Sequence, residues 1–182
     1  MKRACLPFLL ALALLLSGCG GSAAEARFRS FSEDLAARDA LRFTAKLRAE
    51  YPDRSVAFKL QYALESGQQT VTVLEPESIR GIRARILPGE TKLEYEELIL
   101  DTGDLNRDGL TPLSALPVLV ETLRDGHLDS HWQAGEQPVY QLILTDDLCA
   151  QVRFAPDPMT PVYAELFCDD RAAVYCEISD WR

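Results

Sequence analysis

In the stretch DLNRDG, Asp104, Asn106 and Asp108 alternate and Gly109 follows. A twelve-residue calcium loop opens this way, with oxygen ligands at positions 1, 3, 5, 7, 9 and 12 and glycine at 6. Counted from Asp104, position 9 is Pro112 and position 12 is Ala115, and neither side chain carries an oxygen. Glu121 lies beyond the reach of a compact loop, and KLEYEELIL before it alternates like a strand rather than an incoming helix. Asp, Asn and Gly also build tight turns and cap helices. That use accounts for the stretch, and no calcium is expected.

The two histidines, His127 and His131 in HLDSH, are four residues apart. On a helix that spacing suits two ligands of one metal. Here Leu128 and Trp132 suggest extended chain, where the two rings lie roughly 13 Å apart, too far for one ion. There is no HExxH, GxSxG, P-loop or GxGxxG. Cys149 has no histidine near it in sequence to act as a base. The acidic groups Glu94, Glu96 and Glu97, Asp146-Asp147 and Asp169-Asp170 read as solvated faces and turns. The sequence therefore points away from an enzyme and implies no cofactor and no metal.

The cysteines of the globular part are Cys149, Cys168 and Cys176. Cys168 and Cys176 flank DDRAAVY, a hairpin candidate, so a cross-strand disulfide between them is one arrangement and packed free thiols are another. Spacing alone does not choose.

These side chains have to be positioned by a chain that begins MKRACLPFLLALALLLSGCGG. Lys2 and Arg3 precede an apolar run from Leu6 to Leu16, too short for a membrane span of roughly 20 residues. Leu16-Ser17-Gly18-Cys19 resembles the lipobox of bacterial lipoproteins at all four positions. The resemblance implies a signal peptide over 1–18 and a diacylglycerol on Cys19, the membrane being the first partner. Each buried CH2 of such an anchor contributes about 0.8 kcal/mol. The expected location is extracytoplasmic, on the outer face of the bacterial cell membrane.

After Lys2 and Arg3 are removed, 17 basic side chains stand against 28 acidic ones, a formal charge of −11. With no basic stripe, nucleic-acid binding is disfavoured. Residues 19–30 read as a tether and 31–182 as a single domain, long enough for a real core. FSEDLAARDALRFTAKLRAEY, Phe31 to Tyr51, places Leu35, Leu41, Phe43, Leu47 and Tyr51 at near-helical spacing, which predicts an amphipathic helix. The period then changes. SVAFKLQYAL, QQTVTVLEP, SIRGIRARILP and TKLEYEELIL each alternate and predict four strands. Leu113, Leu116, Leu119, Val120 and Leu123 behind Pro112 predict a second helix. Five strand candidates follow, HLDSHWQA, VYQLILTD, LCAQVRFA, VYAELFCD and AAVYCEIS. About nine short strands with two helices predict an α+β fold, a curved antiparallel sheet wrapped around its helices.

That order, with three sequence blocks, resembles the lipoprotein-carrier (LolA/LolB-like) superfamily. The blocks are AFKLQYALESGQQTVTVLEPESIRGIRARI, KLEYEELILDTG and GLTPLSALPVLVETLRDG; in the first, Glu75-Pro76 leads to an I-x-G segment at Gly81. The resemblance implies a half-open β-barrel plugged by helices and a lipid, acyl chain or other apolar ligand in its concave face. The lining would be Phe58, Leu60, Tyr62, Val71, Val73, Ile82, Ile86, Tyr95, Leu116 and Leu119. The lipid on Cys19 departs from a soluble shuttle. It leaves a membrane-bound acceptor, sensor or accessory subunit, with another envelope protein as the alternative partner.

Overall fold

The computed structural model describes residues 23–51, 53–87, 90–101, 110–169 and 171–182. Helix α1 (Ala23–Ala36) leads into a meander of β1 (Ala40–Glu50), β2 (Ser55–Glu65), β3 (Gln68–Glu75), β4 (Arg83–Leu87), β5 (Glu90–Tyr95) and β6 (Leu98–Asp101). A 3₁₀ turn at Glu77–Ile79 separates β3 from β4. Helix α2 (Pro112–Asp125) then leads to a second meander of β7 (His127–Ala134), β8 (Gln137–Thr145), β9 (Leu148–Pro156), β10 (Met159–Cys168) and β11 (Arg171–Ser179). The last strand returns to pair with the first. The result is one open, fully antiparallel sheet in the order β6-β5-β4-β3-β2-β1-β11-β10-β9-β8-β7. Helix α2 touches strands from β3 to β8, and the sheet curves around it.

Two expectations are corrected. The stretch Phe31 to Tyr51 is not one helix. Its first residues finish α1, and after a break at residues 37–39 the chain becomes β1. In β1 the buried side chains are Leu41, Phe43, Ala45, Leu47 and Ala49, a strict period of two that the two alanines complete. The expected tether, for its part, already contains most of α1, which buries Phe28. The stretch TKLEYEELIL is also two strands, turning at Glu96-Glu97 with Glu96 at a φ of 53°.

Helix α2 is built as expected and buried more completely. Thr111 caps it: its Oγ1 accepts from the Ser114 N–H (3.1 Å), and Ser114 Oγ accepts from the Thr111 N–H (2.9 Å). Pro112 occupies the first turn, where no N–H is needed. Residues from Ser114 to Val120, with Thr122 and Leu123, are all buried, so the helix is enclosed on more than one face. Gly126 ends it, because a Cβ there would meet the Thr122 carbonyl oxygen at 2.4 Å. The C-terminus of α2 is tied to α1. Ser32 Oγ donates to the Arg124 carbonyl (2.8 Å), and the Arg124 guanidinium donates to the Ala36 carbonyl (3.2 Å).

Candidate functional site: the concave face and its rim

The concave face is where the sequence placed an apolar ligand. Side chains from nine strands meet there, because alternate residues of each strand share one side of the sheet. Leu60, Tyr62, Val71, Leu116 and Leu119 are 0% exposed, and Val73 is 2% exposed. Tyr62 stacks on Phe43 with ring centroids 5.0 Å apart, and its hydroxyl donates to Gln69 Oε1 (3.1 Å). Burial pushes the Tyr62 phenol well above its ordinary range, against the pull of the Arg124 charge. These six residues form a packed core with α2 seated in it. Phe58, Ile82 and Ile86 are half-buried beside that core, together with Leu93 and Leu113. Tyr95 is 40% exposed and stands apart at the β5–β6 edge.

The other half of the concave face is closed by aromatic rings. Phe28 of α1 lies 5.0 Å from Tyr140, and Phe31 meets Phe154 edge-on at 5.0 Å. Trp181 stacks on Phe43 at 4.8 Å. The Tyr140 hydroxyl donates to the Ala24 carbonyl (3.2 Å), and burial raises its phenol. Arg27 reaches the Pro156 carbonyl. These contacts fix α1 across one end of the strands.

Open grooves lie elsewhere. One of about 490 Å³ runs over the convex face between Arg42, Gln61, Thr70, Arg83 and Arg85. Another, of about 410 Å³, lies between Lys46, Arg48, Lys59, Tyr163 and Tyr175. A third, of about 320 Å³, separates α1 from β7. None of the three is lined by the six core residues named above.

The remaining candidates are dispersed. Asp104, Asn106, Asp108 and Gly109 lie outside the described residues, as does Cys19. Ala115, the twelfth position of the loop, is packed inside α2. His127 and His131 are both on exposed β7, and His131 stacks against Tyr140 at 6.2 Å. Among the described residues no three His, Cys, Asp or Glu side chains are grouped to hold a metal ion.

The expected hairpin around DDRAAVY exists, but its register opposes Cys168 to Arg171 and Cys176 to Ala164. Cys176 is therefore four residues along the ladder from Cys168, about 13 Å away, beyond disulfide reach. Cys149, Cys168 and Cys176 are free thiols. Burial pushes the Cys176 thiol up to about 12.

Sequence reasoning missed the apolar edge of the sheet. Leu98, Ile99 and Leu100 of β6 are 57%, 63% and 51% exposed. The signal was present in ELIL, where apolar residues run consecutively and alternation stops.

An open antiparallel half-barrel closed over two helices is the LolA-like fold. Among solved structures the chain is similar to the LolA superfamily protein NE2245 from Nitrosomonas europaea, with a TM-score of 0.54 and 12% identity. The match covers 89% of this chain and 94% of that one. A putative outer membrane lipoprotein-sorting protein domain from Vibrio parahaemolyticus matches with a TM-score of 0.49 and 12% identity, over 85% of this chain and 90% of that one. No family model and no curated protein matches the chain. Among the described residues no helix is long and apolar enough to cross a membrane.

Proposed function

We propose that this chain is a non-catalytic, lipid-anchored extracytoplasmic protein that acts through its surface on another protein of the envelope. Leu16-Ser17-Gly18-Cys19 supports the anchor, and the LolA-like fold supports the setting. One observation carries the choice of an interaction module over a lipid holder. The side chains that would line a ligand chamber, Leu60, Tyr62, Val71, Leu116 and Leu119, are in full contact with one another and with α2, at 0% exposure. The absence of catalytic motifs agrees with this reading.

The experiment has two arms. Cys19→Ala should release the protein from the membrane fraction, and normal membrane retention of that variant ends the anchor. Native mass spectrometry of the purified chain should show no co-purifying lipid beyond the anchor. A stoichiometric second lipid supports binding in the concave face instead. That second reading has one observation in its favour: the row Phe58, Ile82, Ile86 and Leu93 is only partly buried, beside Leu113 of α2.

A further inference from the structure

The two edges of the sheet are finished differently. Strand β7 carries His127, Asp129 and His131, and its register with β8 shifts between Leu128 and Ser130. Charges and bulges of this kind keep an edge from pairing with other chains. Strand β6 has neither lysine nor proline, and its register with β5 is unbroken. Its three apolar residues are the most exposed large apolar side chains among the described residues. Tyr95, Leu98 and Leu100 share one face, because Tyr95 stands opposite Leu98 and Leu93 opposite Leu100.

The backbone of β6 is open as well. Glu96 and Glu97 make a two-residue turn, so Tyr95 and Leu98 exchange backbone hydrogen bonds, and Leu93 and Leu100 do the same. The N–H and C=O groups of Ile99 and Asp101 then point away from β5. This is the geometry that accepts an added strand.

We infer, building on the interaction reading above, that β6 is a docking edge for an extended segment of a partner protein. That segment carries apolar side chains at alternate positions and basic residues at its ends. The charge pattern selects this occupant. Glu96 and Glu97 stand at one end of β6 and Asp101 at the other, and β6 itself has no cation. The nearest cations are engaged, Lys92 with Glu90 (2.8 Å) and Arg85 with Glu94 (2.9 Å). A second copy of this chain fits worse. With Ile99 facing Ile99, Glu97 would face Asp101, and like charges directly opposite destabilise a ladder. The formal charge of −9 adds general repulsion.

The test uses the full chain in lipid nanodiscs and three labelled peptides. They are Lys-Val-Thr-Val-Thr-Val-Lys, the same peptide with Glu at both ends, and a version with Pro at its centre. The Lys-ended peptide should bind and slow amide exchange at Ile99 and Asp101, leaving Leu98 and Leu100 little changed. Ile99→Pro and Leu100→Lys should each weaken binding by about tenfold or more without changing the circular dichroism. If Ile99→Pro disturbs the fold, Leu100→Lys decides. Equal binding of the Glu-ended peptide, unchanged exchange at Ile99 and Asp101, or full affinity in Leu100→Lys overturns the proposal. A dimer in sedimentation that Leu100→Lys dissolves gives the edge to a second copy and also overturns it. These outcomes are separate from membrane retention of Cys19→Ala and from lipid content, so either reading can fail without the other.

Discussion

Replacing Leu119 by Ala tests whether the concave face is packed. Leu119 is 0% exposed, on the buried helix α2. The substitution removes three carbons, and at about 0.8 kcal/mol per buried CH2 the transfer loss is about 2.4 kcal/mol. A cavity term adds to this, because packed neighbours relax only in part, and such sites lose about 2.7–5.0 kcal/mol in all. Domain stabilities are about 5–15 kcal/mol, so the loss is a large fraction of the whole. For a domain of this size Tm should fall by about 5–20 °C.

Urea unfolding followed by tryptophan fluorescence measures it. Trp181 is a suitable reporter, since it stacks on Phe43 in the same core, while Trp132 is 41% exposed. If Leu119 bordered an open chamber, truncation would forfeit few contacts and cost under about 1 kcal/mol. A loss that small refutes the packed interior. Leu98→Ala on the exposed edge is the control, expected within about 0.5 kcal/mol of wild type.

Thr111→Ala removes the cap of α2 and should cost about 0.5–2 kcal/mol in the same urea titration; an unchanged midpoint would mean the cap is dispensable. Cys176, buried and with its thiol raised to about 12, should resist a maleimide in the native protein, while Cys149 and Cys168 react under the same conditions. Mass spectrometry of the labelled protein separates the three, and early modification of Cys176 would contradict its burial. Burial, and after it Glu165, push the Tyr163 phenol up to about 12. Because the folded value is raised above the unfolded value of about 10, its contribution is complete below pH 10 and is lost as pH rises towards 12. Tyr163→Phe should therefore flatten the fall in stability over that window, and identical pH profiles for the two proteins would count against it.

Much of this fold could be read from alternation, but only where one face is buried and the other wet. Strands β2 and β3 satisfy that condition, and Leu60, Tyr62, Val71 and Val73 fall on the buried side as the pattern requires. In β1 the same rule was hidden, because Ala45 and Ala49 count weakly as apolar while Leu41, Phe43 and Leu47 also fit a helix over a short window. Proximity of β1 to β11, more than a hundred residues apart in sequence, decides the matter. No local pattern carries that information. The extent of burial was equally out of reach: the stripe of α2 predicts one apolar face, whereas sheet curvature encloses the helix. Tyr95 shows the converse. It alternates like its neighbours, but it sits on the second strand from an edge, where nothing among the described residues covers it.

Whether the concave face could admit an acyl chain depends on what must leave. Seating a lipid there means displacing α2, whose Leu116, Leu119, Val120 and Leu123 are at most 2% exposed. At about 1.5–3 kcal/mol for each fully buried side chain, exposing these four costs about 6–12 kcal/mol. An acyl chain drawn from a bilayer brings no hydrophobic gain to offset this, since it leaves surroundings as apolar as the core it enters. The Thr111 cap and the two hydrogen bonds between the ends of α2 and α1 raise the cost further. Binding at β6 displaces nothing. The apolar residues there are already exposed and two of its peptide groups already point outward, so an added strand gains burial and hydrogen bonds without first undoing the fold.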